Sequence, residues 1–453
     1  MIDLTPALPD GRNGGIGTLV ETLLVEFARR EVATRTTLIC DPHTAGRFRE
    51  LTSGRMTIFI RDYATLRREL RLSPFVGRVR RRLPCIPDAI FDRSASAVAS
   101  AHAMWSRRRP RRRTDSAPPA GDPVESVPGS TVLCRDERRF ADGVLRRLEA
   151  DVVFSPFGSD TFAAGSTPFV PVVVDLQPFD LPEHFPDGAA RRQALSSAVG
   201  HARLVVAISE FTRRRVLNVF GGDPAVVRTI PIAVPDDIAG PAEVDPSRDA
   251  STLRRLGLDR DGYWLFPANF WSHKNHAMLL EAFAMYRGRS RRPARLVFTG
   301  CDTGRGAAVR ARADGLGLHD DVVFIGYVTR AELDSLYRGC RAVVFPSLYE
   351  GFGIPLVEAF AAGRPVLCAD AGSLPEVAGD AAVLFDPRDP ASITTAMIAF
   401  DHNGVDARDL IERGRGRLRA SADAAAMADS YEALLTEAAC PAVAGPARDP
   451  VAA

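Results

Sequence analysis

The sequence has no C-x-x-C pair, no G-x-S-x-G turn, no long uninterrupted apolar run and almost no net charge. Its seven cysteines, Cys40, Cys85, Cys134, Cys301, Cys340, Cys368 and Cys440, are odd in number and widely spaced. That pattern supports neither a zinc site nor a disulfide framework. Several lie inside apolar runs, where Cys behaves as a small hydrophobe, and the expected compartment is a reducing cytoplasm. A net charge of +2 creates no global field toward nucleic acid. No window approaches the roughly twenty apolar residues of a membrane span. No basic stretch followed by an apolar one opens the chain, so no secretory leader is expected. Without G-x-S-x-G there is no nucleophile elbow.

What is present is ordinary globular composition over 453 residues, 46% hydrophobic and 25% charged, enough for two or three domains. Short apolar runs alternate with helix-length segments: Thr37–Cys40, Val152–Phe154, Val170–Val174, Leu204–Ile208, Trp264–Pro267, Arg295–Thr299, Val322–Ile325, Ala342–Phe345 and Pro365–Ala369. Continuous apolar strands between amphipathic helices predict α/β architecture with parallel sheets covered on both faces. A polar Arg- and Pro-rich stretch at about 71–130 reads as a flexible insertion, and a Pro/Asp-rich stretch at about 235–250 as a linker. The expected division is an N-terminal domain over 1–240, a second over 250–420, a helix over 421–440 and a disordered tail over 441–453. The helical spacing of Ala422–Glu437 suits a helix that crosses back to tie the halves together. No solenoid-length repeat occurs.

The most informative segment runs from Phe345 to Ala359. A strand over Ala342–Phe345 enters a Gly-rich turn, Glu350-Gly351-Phe352-Gly353, and a helix is expected from near Pro355. Such a turn, with the positive end of a helix, can hold an anion or sugar hydroxyls. Glu350 lies at the carboxyl end of the strand, where α/β proteins bind ligands. Glu358 lies one turn into the helix, where its carboxylate can accept two hydroxyls as a ribose presents them. A tight turn with a solvated Glu358 is the plainer alternative.

Four other segments carry candidates. Lys274, in the loop Pro267–His276 after a strand, can neutralise a diphosphate, or is simply solvated. Asp10–Thr18 is a Gly-rich loop before a helix over Leu19–Arg30, without dinucleotide-site spacing. Asp175 ends the strand Val172–Val174 and faces the same cleft, or merely makes a turn. Ser209 caps a helix, or contacts a phosphate or an acceptor. Asp259-Arg260-Asp261 precedes a strand and reads as a turn, so no metal site is expected there. The Arg run at 78–82 is either a solvated surface or a contact for an anionic membrane.

Glu350 and Glu358 enclosing Gly-Phe-Gly-Ile-Pro resemble the E-x7-E signature of retaining GT4-family glycosyltransferases. Ala361–Val366, Gly372–Ala382 and Phe385-Asp386-Pro387 match the same family, whose likeness covers roughly residues 262–400 and is weaker in the N-terminal half. The resemblance implies a GT-B fold: two Rossmann-like domains facing each other across a cleft, acceptor domain first and nucleotide-sugar domain second. It implies that Glu358 holds the donor ribose. Glu350 sits by the transferred sugar, and Gly351, Phe352 and Gly353 contact that sugar or its phosphate. Trp271-Ser272-His273-Lys274-Asn275 resembles the W-x-H-K-N loop of the mannosyltransferase-like branch, making Lys274 a pyrophosphate clamp with Asn269 in the donor set. Ala268 stands where many relatives carry a second basic residue. Gly14 and Gly15 resemble the N-terminal loop through which the backbone approaches donor phosphate and acceptor. Asp175 is retained from the family's H-D-L run, while Val174 replaces its histidine. Ser209 falls near the cleft, and the Gly326–Val328 backbone would read the nucleobase.

The implied activity is retaining, metal-independent hexosyl transfer in polysaccharide biosynthesis, with no cofactor. The nucleotide-diphosphate-sugar is a substrate, with GDP-mannose favoured, and the acceptor is a glycan or lipid-linked glycan. The protein would be cytoplasmic or peripheral at the inner membrane face. Catalytic roles fall to Glu350 and Asp175. Because no covalent nucleophile stands out, a same-face reaction is favoured, the leaving phosphate taking the acceptor's proton. A GT-B-shaped nucleotide-sugar epimerase and a non-catalytic scaffold subunit remain as alternatives.

Overall fold

The structure, a computed structural model, describes residues 1–4, 15–29, 36–40, 56–60, 142–163, 165–185, 188–233, 245–292, 294–402, 404–421 and 423–440. All of the insertion at 71–130, most of the linker, the tail and Gly14 lie outside these residues.

Two all-parallel sheets organise the described residues. The first joins β1 (Ile2–Asp3), β2 (Thr36–Cys40), β3 (Met56–Ile60), β4 (Val153–Ser155), β5 (Phe169–Val173), β6 (Val205–Ala207) and β7 (Val227–Thr229) in the order 3-2-1-4-5-6-7. The second joins β8 (Tyr263–Pro267), β9 (Arg295–Thr299), β10 (Val322–Gly326), β11 (Ala342–Phe345), β12 (Val366–Ala369) and β13 (Ala382–Phe385) in the order 10-9-8-11-12-13. Both are doubly wound sheets, as the continuous apolar runs predict. The central strands of the second sheet are buried: Tyr263, Trp264, Leu265 and Phe266 of β8 are fully enclosed, as is all of β11. Helices cover both faces of such sheets, so the side chains of these central strands meet apolar surface.

Strand order fixes where a ligand can bind. In the second sheet the winding reverses between β8 and β11. The loops leaving the carboxyl ends of those two strands diverge and open a crevice. They are residues 268–275 and 346–353, the two segments singled out in the sequence.

The helices begin where local chemistry starts them. Thr329 and Glu332 form a reciprocal capping box at the start of Arg330–Gly339. Asp245, Asp389 and Asp423 each cap a helix with a side-chain carboxylate. The last helix, Ala424–Ala439, leaves the second domain and packs against Gly15–Arg29 and β5 of the first. Tyr431 is fully buried with its ring 5.4 Å from Phe154 of β4, and the Ala233 N–H meets Met427 Sδ at 3.2 Å. No helix among the described residues is long and apolar enough to cross a membrane.

Candidate active site: a cleft between the two sheets

A cleft of about 740 Å³ lies between the domains. The first domain contributes Thr18, Phe157, Val174, Asp175, Gln177, Phe185 and Arg191 to its walls. The second contributes Ala268, Asn269, Trp271, His273, Lys274, Gly300, Tyr327, Glu350 to Pro355, and Glu358.

The Glu350 turn is braced from three sides. Ser373 donates its hydroxyl to the Glu350 carbonyl at 3.0 Å and to the Phe352 carbonyl at 2.8 Å. Gly372 has φ +63°, and a Cβ there would stand 2.8 Å from the Glu350 backbone. Leu348 donates its N–H to the His273 carbonyl at 2.8 Å, tying the turn to the lysine loop. That loop is held by Asn275, in the left-handed region at φ 67°, whose amide donates to the carbonyls of Pro346 at 3.1 Å and Pro387 at 2.7 Å. Asn tolerates this conformation better than most residues.

Lys274 and Glu350 meet at 2.5 Å, both largely buried, with Lys274 also over the Phe345 ring. Glu358 is equally well fixed. Arg330 donates to its Oε1 at 2.5 Å and Tyr337 donates its hydroxyl to Oε2 at 2.7 Å. Each carboxylate oxygen keeps further acceptor capacity. Gly353, at φ +113°, caps Ile354–Ala361, and its neighbours Ile354 and Pro355 bring that helix N-terminus into the cleft.

Asp175 lies at the carboxyl end of β5 and accepts the Gln177 N–H at 3.1 Å. Burial pushes its carboxyl above the usual range, against the Gln177 hydrogen bond and the charges of Arg191 and Lys274. Burial, helped by the Lys274 charge, lowers both His273 and His276 to about 3, so both rings are neutral near pH 7.

Of the residues named from sequence, Asp175, Asn269, Lys274, Gly351, Phe352, Gly353 and Glu358 line one cleft together with Glu350. Asn269 is also engaged structurally, its Oδ1 accepting the Cys301 N–H at 2.7 Å. Gly15 begins the helix Gly15–Arg29, whose Thr18 lines the wall. Ser209 departs from the phosphate or acceptor role. It is fully buried outside the cleft wall, caps Glu210–Phe220, and donates its hydroxyl to the Gly351 carbonyl at 2.7 Å. Its proton is committed to joining the domains. Asp261 of the D-x-D has φ 59° and pairs with Arg364 at 2.6 Å, as a turn residue does.

Sequence reasoning missed Arg330 and Tyr337, which orient Glu358, and Ser373 and Glu376, which lie in a quoted motif without an assigned role. The T-x-x-E capping box starting at Thr329 was a visible sign that Arg330 opens a helix. Nothing local pointed to its partner.

The two facing doubly wound sheets with a cleft between them define the GT-B class of glycosyltransferase folds. Solved structures of that shape include a glycosyltransferase from Rickettsia africae, 13% identical with TM-score 0.64 over 96% of this chain and 97% of that one. An Anabaena protein solved with UDP and glucose is 15% identical, with TM-score 0.64 over 96% and 98%. Residues 254–417, in the second domain, match the family model "Glycosyl transferases group 1". Relatives of the chain include O-antigen chain mannosyltransferase B of Escherichia coli, 29% identical over 228 residues, 49% of this chain and 58% of that protein. A D-inositol 3-phosphate glycosyltransferase of Frankia alni is 34% identical over 203 residues, 42% of this chain and 48% of that one. The chain thus spans about half the length of these curated relatives.

Proposed function

We propose that the protein is a retaining glycosyltransferase that moves a hexose, mannose favoured, from a nucleotide-diphosphate-sugar to a glycan or lipid-linked glycan. The carrying observation is the convergence of Glu350, Glu358, Lys274 and the Gly351–Gly353 turn on one cleft at the strand-order reversal. The matches to a mannosyltransferase and to inositol phosphate glycosyltransferases support the reaction class.

In this reading Glu358, pre-set by Arg330 and Tyr337, accepts the donor ribose hydroxyls. The helix N-terminus at Ile354 and the Lys274 ammonium stabilise charge on the departing diphosphate. The ion pair with Glu350 holds Lys274 in place before donor arrives. Glu350 and the turn amides face the transferred sugar. Asp175, with its raised pKa, stands on the opposite wall as the side chain for the acceptor hydroxyl. The leaving phosphate then takes the acceptor's proton on the same face of the sugar, which preserves configuration. Enclosure between the sheets limits hydrolysis. The chemistry needs no metal in this scheme.

The test is thermal stabilisation of the full chain by nucleotide-sugars, with and without magnesium, followed by mass spectrometry of products with glycan acceptors. GDP-mannose should stabilise alone, and Lys274→Ala should lower transfer about 100-fold or more, the scale of losing one oxyanion stabiliser. Stabilisation that requires magnesium would overturn the metal-free scheme. Isomerised donor formed without acceptor would overturn transfer.

A further inference from the structure

Once the internal pairs of the cleft are set aside, one cation and one carboxylate, Asp175, remain on its walls. Lys274 is committed to Glu350, and Glu358 is committed to Arg330. Ala268, beside the lysine loop, brings no charge. The cation left over is Arg191, on the first-domain helix Gly188–Gly200. Among the described residues it makes no ion pair; its guanidinium lies 5.6 Å from the Phe185 ring centroid. Phe185 in turn stacks on His273 of the opposite domain at 5.6 Å, so the arginine is held at the mouth shared by both walls. It lines the same cleft as Asp175, His273 and Lys274.

We propose that Arg191 is the second phosphate-binding cation of the cleft, closing on a substrate phosphate from the wall opposite Lys274. A guanidinium offers a planar fork of donors that matches two phosphate oxygens at once. The Arg191 side chain is exposed, with the Phe185 ring on one side of its guanidinium. A phosphate held between Arg191 and Lys274 draws the two domains together, because each cation belongs to a different sheet. This rests on the donor-cleft reading above. The phosphate comes either from the donor diphosphate or from a phosphorylated acceptor, and the two sources are separable.

The experiment titrates the full-length wild type, Arg191→Ala and Arg191→Lys calorimetrically with GDP and UDP, with guanosine and uridine as uncharged controls. A second arm titrates inorganic phosphate into protein saturated with the tighter diphosphate. Melting curves confirm that the variants fold, as expected for an exposed side chain. If the donor supplies the phosphate, Arg191→Ala weakens the diphosphate tenfold or more, leaves the nucleoside unchanged, and Arg191→Lys recovers part of the loss. If the acceptor supplies it, diphosphate binding is unchanged and the phosphate bound by the saturated wild type is lost in Arg191→Ala. Unchanged binding in both arms overturns the proposal. A wild type that binds neither GDP nor UDP overturns the donor cleft itself, and Arg191's role with it.

Discussion

The Glu376 carboxylate of the second domain caps a helix of the first: Oε1 accepts the Glu210 N–H at 2.8 Å and Oε2 the Phe211 N–H at 2.9 Å. The first turn of Glu210–Phe220 therefore has two sources of acceptors. Ser209 from its own strand end serves Thr212, and Glu376 serves the two residues before it. Charge-assisted bonds to a helix N-terminus combine capping with the dipole interaction. Because the cap comes from the other sheet, it fixes the angle between the domains as well as the helix.

Glu376→Ala should lower unfolding stability by about 1 kcal/mol, the usual value of a lost helix cap. Glu376→Gln should recover part of it, since an amide oxygen still accepts one N–H. Denaturant unfolding of the two variants measures this, and equal losses in both would show that the carboxylate does not act as a cap.

Gly351 has a stricter requirement. A Cβ at this position would lie 1.8 Å from the Val174 carbonyl oxygen, across the domain boundary. Neither backbone can yield without moving a sheet. Gly351→Ala is expected to separate the Glu350 turn from β5 and abolish nucleotide-sugar stabilisation, while each domain keeps its own core. Hydrogen exchange at 172–176 and 349–353 should rise in this variant, and unchanged protection there would contradict the contact.

Tyr337→Phe removes the hydroxyl that holds Glu358 Oε2 and leaves the packing of the ring. Losing one hydrogen bond to a charged group costs about 1.5–3 kcal/mol. Arg330 still holds Oε1, so the expected loss sits at the lower end, about tenfold weaker binding of a nucleoside diphosphate. A 2′-deoxyribose analogue should be less sensitive to the substitution than the parent nucleotide. Equal sensitivity would detach Glu358 from the ribose.

His273 and His276 set an acid limit on stability. Both are lowered from 6.5 to about 3 by burial, so the unfolded chain binds more protons than the folded one between those values. Their stabilisation is intact above pH 6.5 and is lost as pH falls toward 3, with a slope of up to about 1.4 kcal/mol per pH unit for each ring. The His276 ring stacks on Phe270 at 4.5 Å and lies 4.6 Å from Phe266, and its Nε2 has no hydrogen-bond partner among the described residues. His276→Phe should therefore fold and show a shallower loss of melting temperature between pH 6.5 and pH 4. An unchanged slope would contradict burial of a neutral ring.

Much of the architecture was written in local pattern. The apolar runs Arg295–Thr299 and Ala342–Phe345 coincide with β9 and β11, and others differ from their strands by a residue or so at an end. Ile2–Asp3, Met56–Ile60, Val227–Thr229 and Ala382–Phe385 were not anticipated, two of them for specific reasons. Ile2–Asp3 is too short to show periodicity, and Val227–Thr229 carries an arginine at its centre. The cleft's shape followed from residue order, because a Glu-bearing turn and a lysine loop that each follow a strand must meet if those strands adjoin at the reversal. What could not be read were side chains whose partners are set by tertiary packing. Glu376 finds its N–H groups 166 and 165 positions away. Ser209 illustrates the reverse case: its capping role was legible, but only the facing Gly351 carbonyl decides where its proton goes.

The return of Ala424–Ala439 to the first sheet has a consequence for biosynthesis. Phe154 and the helix Gly15–Arg29 leave the ribosome before the second domain, yet the surface that covers them is translated only after it. Domains commonly fold in order of synthesis, but here the earlier one must wait with an apolar seam open until the later one is complete. Docking of both halves is thereby coupled to one event after the second domain, and a chain without Ala424–Ala439 would keep a sticky seam in place of a working half.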